Sequence, residues 1–212
     1  MDKQAGLQQV QHLVERFSLN RAQYVASDST YGEPDLRADF LDPFLEAMGW
    51  DVCNRRGAPQ HLREVVRDDT VEVEDNGAAF PKRPDYALRL GAERKLFIEA
   101  KKPSVRITDV QPPAFQLRRY GWNARLPVSV LTNFDKLVFY DCRYRPLPAD
   151  LPHVARLKIY DHTEYIAKFD ELWARLSRDA VYSGQFDTLV PVETRPQGSE
   201  PFDEYFLKQI EA

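Results

Sequence analysis

Residues 83–90 read Arg-Pro-Asp-Tyr-Ala-Leu-Arg-Leu, and residues 95–102 read Lys-Leu-Phe-Ile-Glu-Ala-Lys-Lys. Both segments are short and rich in apolar residues, which is typical of β-strands. The four residues between them, Gly-Ala-Glu-Arg at 91–94, have the length and the glycine of a hairpin turn. We therefore predict an antiparallel hairpin, and this hairpin is the centre of the predicted fold.

The charged residues of this hairpin gather at one end. Asp85 begins the first strand. Glu99 and Lys101 share a face of the second, because side chains two positions apart in a strand point the same way. Two carboxylates can hold a hard cation such as Mg²⁺, which polarises a phosphoryl oxygen and acidifies bound water. A nearby lysine can orient the attacking water, or deprotonate it if its own pKa is lowered. The alternative is an ordinary exposed hairpin, since a Glu-x-Lys triplet is common by chance.

A family resemblance rests on these residues and their flanks. Pro84-Asp85 followed by Glu99-Ala100-Lys101 resembles the PD-(D/E)xK nuclease motif. In chain order, residues 33–50, 116–122 and 131–141 resemble the first core helix, the Q-x3-Y helix and the closing strands of one branch. That branch is the N-terminal nuclease domains of type IIG restriction–modification enzymes, which are related to the start of the type I restriction motor subunit. The resemblance covers about residues 30–142 and continues more weakly to the end.

The resemblance implies a fold and a domain organisation. The expected fold is a restriction-endonuclease-like α/β core, with a mixed sheet of four to five strands flanked by helices. Residues 1–150 form the endonuclease core in this interpretation, and residues 151–212 form a helical extension or linker toward downstream domains. Type IIG enzymes continue into a methyltransferase, which uses S-adenosylmethionine, and a target-recognition region. The sequence contains no glycine-rich S-adenosylmethionine site and no P-loop, so we expect the chain to stop just before those parts.

The resemblance also implies roles for the site residues. Asp85 and Glu99 would bind Mg²⁺, and Glu33 would add a third acid, directly or through water. For Glu33 the alternative is a favourable charge at a helix N-terminus. Lys101 would position the attacking water, and Gln116 would support the site.

Other residues are candidates for contacts around this site. Tyr120 lies four residues after Gln116 on the same helix face, either near the site or as a core aromatic. The basic residues expected to contact DNA are Arg37, Lys102, Arg118 and Arg119. For Arg37, a pair with Glu33 is the alternative.

The charge distribution supports a DNA substrate more than the net charge of −4 does. Residues 82–119 contain ten Lys or Arg and four Asp or Glu, a local charge of +6. Residues 1–51 and 161–212 are acidic, at −5 and −6. Positive charge is therefore concentrated where a phosphate backbone would lie, although chance clustering of solvated charges is an alternative.

Composition limits the class of protein. With 212 residues and 43% hydrophobic residues, the chain can build a proper core. It has no signal peptide and no apolar run of membrane-spanning length, so we expect a cytoplasmic protein and no membrane partner. Two cysteines without zinc-ligand spacing are expected to be reduced core residues.

These observations and the resemblance predict the magnesium-dependent DNA endonuclease domain of a type IIG restriction–modification enzyme, and the resemblance implies cleavage to 5′-phosphate and 3′-hydroxyl ends. Double-stranded DNA is the expected substrate, and cutting both strands requires two sites, hence a transient dimer on DNA. The alternatives are the nuclease domain of a type I motor subunit, a non-catalytic DNA-binding or scaffold module on the same fold, and a repair nuclease.

Periodicity and turn residues also predict the secondary structure. We expect helices at 3–27, 34–48, 110–123 and 161–178, another helix from 202 to 210, and strands at 70–74, 128–131 and 136–140 beside the hairpin. Pro43 is expected to kink the second helix or to mark its tightened last turns.

Overall fold

The computed structural model describes residues 2–75 and 78–190 and shows an α/β protein built on a six-stranded mixed sheet. The strands within the described residues are β1 (Val65–Arg67), β2 (Val71–Asp75), β3 (Ala78–Lys82), β4 (Tyr86–Leu90), β5 (Glu93–Ala100), β6 (Val128–Thr132), β7 (Lys136–Asp141) and β8 (Arg156–Asp161). The large sheet has the order β1-β4-β5-β6-β7-β8, and β2 pairs with β3 in a separate sheet. Only β5 and β6 are parallel; the other neighbours are antiparallel.

The predicted central hairpin is confirmed. Strands β4 and β5 pair antiparallel, with Tyr86 opposite Ile98 and Leu88 opposite Leu96. The turn is tighter than expected, because Gly91 takes a left-handed conformation with φ of +61° and β5 already starts at Glu93. This register brings the start of β4 beside the end of β5.

The helices are α1 (Lys3–Tyr24), α2 (Glu33–Leu36), α3 (Asp42–Ala47), α4 (Gln111–Asn123), α5 (Phe169–Leu176) and α6 (Arg178–Tyr182). Short 3₁₀ turns lie at Gln60–Leu62, His162–Glu164 and Phe186–Leu189. Helix α4 begins close to the predicted position, with prolines in its first turn, and lies between the parallel strands β5 and β6 in the chain.

Helices α2 and α3 are one rod interrupted by a π-helical turn at Arg37–Leu41. Pro43 explains it: proline has no N–H to donate, and its ring would collide with the carbonyl of Asp39 in a regular helix. In the wider turn Asp42 donates its N–H to Arg37, and the Asp39 carbonyl accepts from Arg16 instead. Pro43 was expected to kink or tighten the helix; the structure widens it by one residue, and π-turns are frequent at functional sites.

Apolar side chains cover the sheet on both faces. One cluster packs α1, the α2–α3 rod and α5 against side chains such as Ile98 and Val130. The other packs α4 and β2 against Phe97 and Leu131. Since the strand alternates, Glu99 lies on the same face as Phe97, the face that α4 covers.

Helix α4 lies close to the sheet because of Gly121. A Cβ atom on this residue would come within 2.5 Å of the Cys142 sulfur and 3.0 Å of the Ser129 hydroxyl oxygen. Any larger residue would push the helix outward, and the side chains that α4 presents to β5 would move with it.

The structure corrects several expectations about the sheet. It has six strands rather than four or five, and residues 78–82 form β3, which we did not predict. The predicted helix at 161–178 is also wrong in its first part, since β8 runs to Asp161 and α5 begins only at Phe169.

We expected the segment after residue 150 to be helical, but it also contains a strand. Strand β8 pairs with β7, and Tyr160, Phe169 and Leu172 are buried in the same cluster as α1. Residues 151–190 therefore extend the core. The position of the domain boundary stays a prediction, and the expected helix at 202–210 lies outside the described residues.

Candidate active site

The end of the β4–β5 hairpin brings two carboxylates together. Asp85 directly precedes Tyr86, which is paired with Ile98, so Asp85 stands opposite Glu99 on the neighbouring strand. Both residues alternate onto the face covered by α4. The predicted convergence of Asp85, Glu99 and Lys101 is therefore present, and the catalytic roles of these residues stay predictions.

Asp85 is held through both carboxylate oxygens. Its Oδ2 accepts the backbone N–H of Ala100 at 2.7 Å, and its Oδ1 accepts Nη1 of Arg37 at 3.1 Å. Burial raises the pKa of Asp85 above the ordinary aspartate value, and these two donors and Lys101 oppose the shift without cancelling it. The position of this carboxylate is thus fixed by the adjacent strand on one side and by the π-turn on the other.

Glu99 is almost completely buried and only half satisfied. Its Oε1 accepts Nζ of Lys101 at 2.6 Å and Nε2 of Gln116 at 2.6 Å. Its Oε2 is buried and has no hydrogen-bond partner. Burial, with the charge of Asp85 as the next contribution, raises the pKa of Glu99 to about 7. A buried acceptor without a donor is unfavourable, so this oxygen is suited to a cationic ligand.

Lys101 stays an ammonium in this environment. Burial alone would lower its pKa, but the carboxylates of Glu99, Glu33 and Asp85 together raise it above the ordinary lysine value. A lysine that deprotonates water would need a lowered pKa, which the acids around Lys101 do not supply. The geometry favours a donor that orients a water or a phosphoryl oxygen.

Gln116 and Tyr120 form the α4 side of the site, as their spacing predicts. The Gln116 amide donates to Glu99 and also to the Tyr120 hydroxyl at 2.9 Å. Tyr120 is 7% exposed and packs in the α4 cluster, so it is a core aromatic whose hydroxyl also reaches the site. Gln116 therefore fixes one oxygen of Glu99 and leaves the other for a ligand.

Glu33 begins α2 at the edge of this site. Its charge contributes to the raised pKa values of Asp85 and Glu99, so its carboxylate lies within electrostatic range of both. Within residues 2–75 and 78–190, however, no three His, Cys, Asp or Glu side chains lie close enough together to hold a metal ion. Glu33, Asp85 and Glu99 are therefore not placed to bind one metal ion directly together. Glu33 can act on the site through a bound water or through its charge.

The candidate DNA contacts divide into two groups. Lys102 is exposed and Arg119 is half-buried. Arg118 is 2% exposed, and its Nη1 donates to Asp150 at 2.7 Å. The expectation that Arg118 contacts DNA is corrected, because its guanidinium is buried against the loop before β8. Arg37 pairs with Asp85 rather than with Glu33.

The residues present fit a hard divalent cation such as Mg²⁺. Asp85 and Glu99 supply adjacent carboxylates, the ligand type that Mg²⁺ prefers. Burial raises both pKa values, the charge of Asp85 adds to the shift of Glu99, and the partnerless Glu99 Oε2 points to a missing positive group. A cation bound by Asp85 and Glu99 would relieve the repulsion between the two carboxylates.

Sequence reasoning missed three contributors to the site. The Ala100 N–H orients Asp85, Asp68 accepts Nη1 of Arg37 at 3.3 Å, and the Arg37 guanidinium lies 5.0 Å from the Tyr86 ring centre. The pairing register could have identified Ala100. No local pattern identifies Asp68, which reaches the site only because β1 pairs with β4.

A comparison with known proteins finds a similar restriction enzyme and methyltransferase. No family model matches the chain, and no solved structure matches it. Within the described residues, no helix is both long and apolar enough to cross a membrane.

The chain is 39% identical over 202 residues to the type II restriction enzyme and methyltransferase RM.Eco57I of Escherichia coli. The match covers 95% of this chain and 20% of that protein, so the chain spans about a fifth of its relative's length. The chain thus resembles the N-terminal endonuclease domain of type IIG restriction–modification enzymes.

Proposed function

We propose that this chain is the magnesium-dependent DNA endonuclease domain of a type IIG restriction–modification enzyme. The observation that carries the proposal is the convergence of Asp85, Glu99 and Lys101, with a buried Glu99 oxygen that has no partner. The similarity to a restriction enzyme and methyltransferase supports the choice of a type IIG enzyme over a type I motor subunit.

Asp85 and Glu99 would hold the Mg²⁺ ion. When bound, the ion polarises a phosphoryl oxygen and makes bound water more acidic. Lys101, as an ammonium beside Glu99, donates a hydrogen bond to the attacking water and holds it in line with the phosphorus. The 3′ oxygen leaves, which gives a 5′ phosphate and a 3′ hydroxyl.

The remaining contacts keep these groups in place. Gln116 fixes Oε1 of Glu99, and the Ala100 N–H fixes Oδ2 of Asp85. Because both supports belong to regular elements, α4 and β5, the distance between the carboxylates is well defined. Tyr120 holds the amide of Gln116 in the orientation that donates to Glu99.

The partners follow from the same proposal. The substrate is double-stranded DNA, and a transient dimer on DNA would supply the second site for double-strand cleavage. Sequence specificity and S-adenosylmethionine binding would reside in methyltransferase and target-recognition domains of the same polypeptide. A DNA substrate and two free cysteines agree with a cytoplasmic location.

The test is cleavage of DNA by the full-length enzyme that contains this domain. We expect cleavage that requires Mg²⁺, stops with a chelator and leaves 5′-phosphate ends. Glu99→Gln keeps the shape of the side chain and removes its charge, so it should lower the cleavage rate by at least about 10²-fold. Glu93→Gln, in the exposed part of the same strand, is the matched control and should cut at the parent rate. Cleavage by Glu99→Gln at the parent rate would overturn the proposal.

A further inference from the structure

Both oxygens of Asp85 are engaged in this structure, whereas Glu99 has one buried oxygen without a partner. The N–H of Ala100 occupies Oδ2, and the Arg37 guanidinium occupies Oδ1. The Asp85 side chain is 14% exposed and that of Arg37 is 18% exposed, so little water screens this ion pair. The two proposed ligands are therefore unequal: Glu99 pairs with Lys101 through one oxygen and leaves the other open, whereas both oxygens of Asp85 are occupied.

Arg37 is held in position from three sides. Besides Oδ1 of Asp85, its guanidinium donates to the Asp85 backbone carbonyl at 3.3 Å and to Asp68 at 3.3 Å. The Cζ atom of its guanidinium lies over the Tyr86 ring, 5.0 Å from the ring centre. The π-turn starts at Arg37 itself, and the turn sets where this side chain leaves the helix.

Asp68 is a second carboxylate acceptor for the Arg37 guanidinium. The Asp68 side chain is 57% exposed, and its backbone N–H donates to the Asp85 carbonyl at 3.1 Å. A small rotation of the Arg37 side chain would thus keep the Asp68 contact and release Oδ1 of Asp85.

We propose that Arg37 is the resident counter-ion of Asp85, and that a divalent cation must displace its guanidinium from Oδ1 to bind. The inference rests on the proposed function, since it takes Asp85 as a metal ligand. Two cations cannot share one half-buried oxygen without strong repulsion. Arg37 therefore weakens metal binding and, without metal, stabilises the buried carboxylate. Arg37 is a positioning residue for Asp85.

The test is Mg²⁺ binding to the chain by titration calorimetry, with Arg37→Gln compared with the parent. Glutamine can still donate one hydrogen bond, but it removes the positive charge. We expect Arg37→Gln to bind Mg²⁺ at least about tenfold more tightly. Arg67→Gln is the matched control: Arg67 is a neighbouring arginine that pairs with Asp42 and not with Asp85, so its variant should bind Mg²⁺ as the parent does.

Thermal unfolding gives a second readout. In chelator, Arg37→Gln should unfold at a lower temperature than the parent, because the buried carboxylate of Asp85 loses its counter-ion. Added Mg²⁺ should then raise the unfolding temperature of the variant more than that of the parent. A merely structural arginine would give the first effect without tighter metal binding.

The outcomes separate this inference from the proposed function. Parent binding with equal or weaker binding by Arg37→Gln would overturn the counter-ion role and leave the metal site intact. No binding by either protein would overturn the metal site, and this inference with it.

If Arg37→Gln does not fold, nitrogen-15 NMR of the parent replaces the variant. The Arg37 guanidinium protons should exchange slowly without metal and faster with Mg²⁺; no change on saturation with Mg²⁺ would overturn the inference.

Discussion

Lys101→Ala should lower the rate of DNA cleavage by the full-length enzyme by about 10²- to 10³-fold, the usual cost of removing one preorganised hydrogen-bond donor from an active site. The Lys101 ammonium lies 2.6 Å from Glu99, and three acids keep it protonated. Its removal deletes the donor that orients the water, so the loss should appear in kcat more than in KM. Cleavage at saturating DNA, measured with single-turnover kinetics, is the readout.

Two further variants make this result specific. Lys101→Arg should not restore the rate, because a forked guanidinium does not reproduce a compact ammonium. Lys95→Ala removes a lysine from the same face of β5, where it pairs with Glu93 at 2.9 Å, and should leave cleavage unchanged. A Lys101→Ala enzyme that cuts within a few-fold of the parent rate would remove Lys101 from the mechanism.

Asp150→Ala should lower the free energy of unfolding by about 3–5 kcal/mol, the usual effect of leaving a buried charge without its partner. The Arg118 side chain is 3% exposed, and Asp150 accepts its Nη1 at 2.7 Å. The same carboxylate accepts the backbone N–H of Leu147 at 3.0 Å, so the loop after β7 would lose its anchor as well. Denaturant unfolding of the chain measures the effect.

The control for Asp150→Ala is an exposed pair of the same type. Asp109 pairs with Arg106, with side chains 46% and 82% exposed, and Asp109→Ala should leave the midpoint of denaturant unfolding close to that of the parent. The double variant Arg118→Leu with Asp150→Ala should recover much of the loss, because no uncompensated charge remains. A loss for Asp150→Ala no larger than that for Asp109→Ala would contradict the buried ion pair.

The hairpin and α4 could be predicted from sequence because their signals are local. Alternation and a glycine turn define β4 and β5, and two prolines mark the first turn of α4. Strand β8 was missed although Leu157 and Ile159 alternate with polar residues. Residues 143–152, which contain three prolines, indicated a domain boundary before β8. The chain instead returns to pair with β7.

The candidate site was predictable where residues are close in sequence or share one face. Glu99, Lys101 and Gln116 meet as the strand and helix periods require. The partners of the two arginines were not predictable, because each depends on a distant segment. Arg37 meets Asp85 through the π-turn, and Arg118 is buried because the loop containing Asp150 crosses α4.

Titration calorimetry with Mg²⁺ is the most direct test of whether Asp85 and Glu99 form a divalent-cation site. The parent chain should bind Mg²⁺, and the double variant Asp85→Ala with Glu99→Ala should not, while it still unfolds cooperatively. Equal binding of Mg²⁺ by the parent and the double variant would contradict such a site.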